Sequence, residues 1–176
     1  MPKFRDLAVW QQAEQLMQPA FIRVVDNIRK QLEQSLTWRG SYEETIVWPE
    51  GTSEEIKAEV MKLRADLDTA SLSDIDVIRS KLAQLPVPYP GYLLCLTHND
   101  RQITVDVWDL CYQVAFRNYD SASGTSWTRG FGQAQNETVE VDTSLIDAEG
   151  EVDWHRLDDK AQRIVERVFV NLTVLE

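Results

Sequence analysis

Residues 91–118 constrain the fold more than any other stretch. They form the densest apolar and β-branched run, with both cysteines and one of the two histidines. Asn99-Asp100 interrupts two β-like segments, and both residue types tolerate positive φ, so the pair predicts a two-residue hairpin turn. With His98 facing Arg101, the register pairs Leu96 with Ile103, Leu94 with Val105 and Tyr92 with Val107. Side chains alternate along a strand, so these residues share one apolar face. Leu93, Cys95 and Thr97 lie on the other face, opposite Asp106, Thr104 and Gln102, and make it mixed. A slip of one residue would set Asp106 among the leucines, which specifies the register.

Leu110, Tyr112, Val114 and Phe116 alternate with Cys111, Gln113, Ala115 and Arg117. This predicts a third strand after a bend near Asp109. The rival is a helix, because Val107, Leu110, Cys111 and Val114 also share a helical face and a short apolar run does not separate the two by period.

Before the hairpin the pattern is helical. Trp10, Ala13, Met17, Phe21, Val24, Ile28 and Leu32 form one stripe over residues 4–33, with Arg23, Arg29 and Lys30 on a solvated face. Pro19 lies inside and predicts a kink or break near Met17 or Gln18. Residues 37–51 hold Trp38, Tyr42, Trp48 and Pro49, the spacing of an irregular loop pinned by aromatics. Thr52 with Glu55 reads as a capping box for a helix buried through Ile56, Val60, Leu63 and Leu67. Ser73 is placed to cap another, buried through Val77, Ile78 and Leu82. Pro86, Pro88 and Pro90 end it.

After the hairpin, residues 119–136 are rich in Ser, Gly, Thr and Gln, with Trp127, Arg129 and Phe131 embedded. They read as a long loop or a loose hairpin. Val139 and Val141 suggest a short edge strand over residues 138–142, and residues 148–151 a turn. A final helix is expected from about Asp158, with Ile164, Val165, Val168, Phe169 and Leu172 buried.

The fold class that follows is α+β. It has a helical N-terminal half, an antiparallel sheet of three or four strands, and a C-terminal helix packed on one sheet face. The length of 176 residues suits a single domain over residues 1–176, with 1–85 mainly helical and 91–176 carrying the sheet and last helix. The formal charge of −11 argues against nucleic acid and anionic membranes as partners. With no membrane-length apolar run, no signal-peptide core and two cysteines read as reduced thiols, a cytoplasmic protein is expected.

Chemical signatures are sparse. The chain lacks a phosphate-binding Gly-Lys-Ser/Thr turn, a dinucleotide fingerprint and a Gly-x-Ser-x-Gly elbow. Cys95, Cys111, His98 and His155 are too scattered for a zinc site, so neither metal nor cofactor is expected. Asp106 and Asp109 have simpler explanations in solvation and turn formation than as a paired acid–base site.

Two resemblances concern limited stretches. The opening Phe4-Arg-Asp-Leu-Ala-Val-Trp-Gln-Gln-Ala-Glu-Gln-Leu-Met17 resembles the first helix of the four-helix bundle proteins encoded in 23S ribosomal RNA intervening sequences. The β-rich centre departs from that all-helical pattern, and no function is carried over. The segment Ile146-Asp-Ala-Glu-Gly-Glu-Val-Asp-Trp-His-Arg-Leu-Asp-Asp-Lys-Ala-Gln-Arg-Ile-Val165 resembles the tail of uncharacterised cyanobacterial proteins. It implies a lineage rather than an activity.

The balance favours a non-enzymatic binding, assembly or regulatory protein acting through a protein–protein interface. Six tryptophans support it, since Trp, Tyr and Arg are common interface anchors. Trp127, Arg129 and Phe131 are the expected partner-binding residues. Homo-oligomerisation through the N-terminal helix or a sheet edge is a further expectation. The alternative is a small-molecule binder or enzyme with a pocket formed by Cys95, His98, Thr104 and Asp106 under the 119–136 loop.

Overall fold

The structure, a computed structural model, describes residues 6–49, 51–117, 119 and 140–174. Its elements are α1 (Leu7–Gln34), β1 (Arg39–Val47), α2 (Glu54–Thr69), α3 (Leu72–Leu82), β2 (Tyr89–His98), β3 (Arg101–Asp106), α4 (Val107–Ala115) and α5 (Trp154–Thr173). A short 3-10 turn covers Thr143–Leu145. The strands form an antiparallel sheet of order β1-β2-β3. The chain gathers into two compact units, Glu44–Gly91 and the remainder.

The hairpin forms with the expected register. It runs from Leu93 opposite Asp106 to His98 opposite Arg101 and includes the Leu94–Val105 and Leu96–Ile103 pairs. Asn99 takes a φ of 53°, and Asp100 needs no positive φ. The expected Tyr92–Val107 pair is absent from the ladder because Val107 already begins α4.

Residues 110–115 belong to a helix, not to the predicted third strand, and Phe116 just past its end is extended. Asp106 decides this locally: its carboxylate accepts the backbone N–H of Trp108 at 2.9 Å and of Asp109 at 3.4 Å, which caps α4. Val107, Leu110, Cys111, Val114 and Ala115 are all buried. A strand would turn Cys111 and Ala115 away from Leu110 and Val114, whereas the helix buries them together. The third strand is instead β1, from the stretch expected to be an aromatic loop.

Leu94, Leu96 and Val105 of the sheet join α1, α4 and α5 in one core. α1 contributes Ala13, Leu16, Ala20, Val24 and Ile28, and α5 contributes Leu157, Ala161, Ile164, Val165, Val168, Phe169 and Leu172. The predicted α5 face is thus borne out, although the helix starts earlier, where Asp153 caps Arg156 N–H at 3.1 Å. α1 runs unbroken through Pro19. Its buried stripe extends on both sides of the proline, and that packing offsets the lost backbone hydrogen bond.

Polar contacts fix α1 against α5. Arg23, expected on a solvated face, instead donates to Asp158 at 2.8 Å, and buried Asn27 donates to the same oxygen at 3.0 Å. Burial opposes the Asp158 charge, but Arg23 and Asn27 outweigh it and lower the carboxyl below its ordinary value.

Glu44–Gly91 holds α2 and α3. Ser53, rather than Thr52, caps α2 by accepting Ile56 N–H at 3.3 Å, while the Thr52 hydroxyl donates to the Pro49 carbonyl at 2.6 Å. Ser71, not Ser73, occupies the N-cap position of α3, and its hydroxyl donates to Asp74 at 2.6 Å. The expected buried faces do not form in full: Val60 alone is buried in α2, and no residue is buried in α3. The predicted 138–142 edge strand is reduced, within the described residues, to one bridge between Val141 and Phe116.

Candidate functional site

The mixed sheet face starts with Cys95, opposite Thr104 in the register. The buried Cys95 thiol donates to a Glu43 carboxylate oxygen at 3.6 Å, which places Glu43 of β1 on this face. Burial and then Glu43 push the Cys95 thiol up, opposed by hydrogen bonds involving Thr104 and Gln102. Burial pushes Cys111 up further, with Asp106 and Asp109 adding to the effect. Both stay protonated at neutral pH, which makes them poor nucleophiles.

Asp106 lies one register step beyond Thr104 on this face but is engaged as the cap of α4. Burial raises its carboxyl, the N–H groups of Asp109 and Trp108 oppose the rise, and the Asp109 charge adds to it. Asp109 accepts the Tyr119 hydroxyl at 2.7 Å and the Gln113 amide at 2.9 Å. The expected pair of aspartates is therefore adjacent, with each carboxylate occupied by its own helix or by Tyr119.

His98 does not join this group. It sits on the opposite face, at the hairpin tip, with its ring 5.2 Å from that of buried Trp38. A surface hollow there is lined by His98, Asn99, Asp100 and Arg101. Of the four residues expected to line a pocket, Cys95 and Thr104 are neighbours, Asp106 adjoins them, and His98 is turned away. Trp127, Arg129 and Phe131 lie outside the described residues. Among the described residues no three His, Cys, Asp or Glu side chains cluster as metal ligands, and no helix is long and apolar enough to cross a membrane.

Two surfaces escaped the sequence-based expectations. The first is the α2–α3 pair. An open groove is lined by Glu59, Lys62, Leu63 and Asp66 of α2, by Lys81 of α3, and by Gln84 and Leu85 just past its end. Leu72 is 89% exposed, Val77 55% and Met61 45%. Ile56, Leu63, Leu67, Ile75, Ile78 and Leu82 are only half-buried. The periodicity did show an apolar stripe, but it could not show that the stripe stays wet.

The second surface is β1, nine residues long and, among the described residues, an edge strand. Arg39 to Glu44 are all exposed. Gly40 lets α1 approach this strand, because a Cβ there would lie 2.5 Å from Leu32 Cδ1. Tyr42 stacks on Tyr92 with ring centroids 5.1 Å apart, and burial followed by Tyr92 pushes its hydroxyl up to about 12. No family model matches the chain, and no curated protein or solved structure matches it either.

Proposed function

We propose that this is a non-enzymatic assembly or regulatory protein that binds another protein through the exposed side of α2 and α3. The observation that carries this reading is the burial of α2 and α3. In two helices of 16 and 11 residues, Val60 is the only buried side chain. Helices in water draw most of their stability from packing an apolar face, so a half-wet stripe suits a surface that a partner's helix completes. The groove edge alternates in charge, Glu59, Lys62 and Asp66 against Lys81, which suits selection of partner and register more than raw affinity.

Trp127, Arg129 and Phe131 are proposed as a second contact with the same partner, and the cytoplasm as the compartment. The resemblance of residues 146–165 to uncharacterised cyanobacterial proteins makes a cyanobacterium the proposed native host. Met61→Glu with Val77→Glu should release a co-purifying partner, because both side chains are exposed and the charges fall on the surface rather than in a core. Trp127→Ala with Arg129→Ala should weaken the same complex. If both pairs of substitutions leave every co-purified protein bound at wild-type stoichiometry, the proposal fails.

A further inference from the structure

β1 also has a feature that α2 and α3 lack: it is complementary to its own copy. Among the described residues it is an edge of the sheet, it reads Arg39-Gly-Ser-Tyr-Glu-Glu-Thr-Ile-Val47, and Arg39 to Glu44 are exposed. Natural edge strands are commonly blunted by lysine, proline or a bulge, and β1 contains neither lysine nor proline. The other edge, β3, is only six residues long and turns directly into α4.

We infer that β1 pairs antiparallel with β1 of a second copy of this chain, about a two-fold axis at Ser41. Such an axis stands perpendicular to the sheet, so it keeps the two sheet faces distinct. Residues opposite one another must then belong to the same face. Glu43 shares the mixed face with Cys95, whose thiol it accepts. Alternation puts Arg39 and Ser41 on that face and Glu44 on the other. Arg39 can therefore oppose Glu43 of the second copy but not Glu44, and only an axis at Ser41 brings Arg39 and Glu43 together.

Within residues 39–43, the part of β1 that this axis pairs with itself, the rest of the register agrees. Ser41 faces Ser41, and Gly40 faces Tyr42 of the second copy. Leu32 already covers Gly40 and Tyr42 stacks on Tyr92, so this position opposes no like charges and the Arg39–Glu43 pairs set the register. Symmetry doubles those pairs. Moving the axis to Tyr42 loses the Arg–Glu pairs, and moving it to Glu43 opposes two like charges. The pairing joins two three-stranded sheets into one continuous sheet and leaves α1, α4 and α5 of both copies on the same side.

This dimer goes beyond the proposed partner at α2 and α3 and stands if that partner does not exist. Its test is a charge swap read by sedimentation of the purified chain. The wild type should be a dimer at ~100 μM, with a dissociation constant that rises with salt. Glu43→Arg alone and Arg39→Glu alone should each weaken the dimer at least roughly tenfold, because each sets like charges opposite one another twice. Mixed one to one, the two variants should form a heterodimer, since every arginine then meets a glutamate. That mixture also shows that both variants are folded. A monomeric wild type, a dimer unaffected by either substitution, or single variants that fail to combine would each overturn the inference.

Discussion

The Lys160 ammonium of α5 lies 2.8 Å from a carboxylate oxygen of Asp142 and 3.2 Å from the carbonyl oxygen of Phe116. One cation thus joins the last helix to the end of α4 and to the turn that follows the 120–139 stretch. Asp142 is buried, accepts the Ser144 hydroxyl, and is approached by Arg117 at 3.4 Å. Burial opposes its charge, yet hydrogen bonds from Lys160 and Ser144 hold its carboxyl down at about 2. A folded value below the unfolded one contributes stability that is fully present above about pH 4 and lost as pH falls through about 2. Asp142→Asn should remove about 2 kcal/mol at neutral pH and flatten the acid limb of the stability curve. Lys160→Met should cost about 1–3 kcal/mol, because it leaves a buried carboxylate with only the longer Arg117 contact to offset its charge. Urea unfolding at several pH values reads both.

Asp106 behaves oppositely with pH. Its carboxyl is raised, chiefly by burial, so the stability it contributes is fully present below the unfolded value and is lost as pH rises through the folded one. Its oxygen nevertheless caps Trp108 and Asp109. Asp106→Ala should therefore lose about 1 kcal/mol with the cap. Asp106→Asn keeps an acceptor and removes the charge, so at pH 7 it should be at least as stable as the wild type. Thermal unfolding of both variants separates the cap from the charge.

These aspartates show how much of the fold was legible in sequence. The Leu94–Val105 and Leu96–Ile103 register could be read because alternation and the Asn99-Asp100 turn agree. The α5 stripe could be read because its period is sustained from Leu157 to Leu172. α4 was misjudged because Asp106 looked like one more alternating strand residue, and its capping role depends on how the chain leaves β3. β1 was missed because its side chains are nearly all exposed and so carry no burial pattern, while Gly40-Ser41 resembles a turn. The glycine there answers to Leu32, a contact remote in sequence. A pocket holding both His98 and Cys95 is at odds with the hairpin's own register, which turns His98 to the other face.

Gly91 and Gly40 should respond differently to alanine. At Gly91 a Cβ would lie 2.7 Å from Thr45 Cγ2 and 2.8 Å from Val47 Cγ2. Both neighbours are β-branched and stiff at χ1, so Gly91→Ala should cost about 1–3 kcal/mol. At Gly40 the close atom is the end of a flexible leucine, which can turn aside, so Gly40→Ala should cost less. Denaturant midpoints of the two variants test the order.

The cysteines should be slow to alkylate. Cys95 and Cys111 are both buried and both raised, so little thiolate exists at neutral pH. Mass spectrometry after iodoacetamide treatment should show negligible labelling of Cys111 in the native protein and full labelling of both in denaturant. Rapid native labelling of Cys111 would contradict its place in the core.

The measurement that bears most directly on the assembly reading is the mass and composition of the tagged protein purified from its native host. It would be read on a sizing column coupled to mass spectrometry. A second protein present in stoichiometric amount, retained in high salt and lost on Met61→Glu with Val77→Glu, is the predicted result. A peak containing this chain alone, as monomer or homodimer, with no other protein enriched, would contradict it.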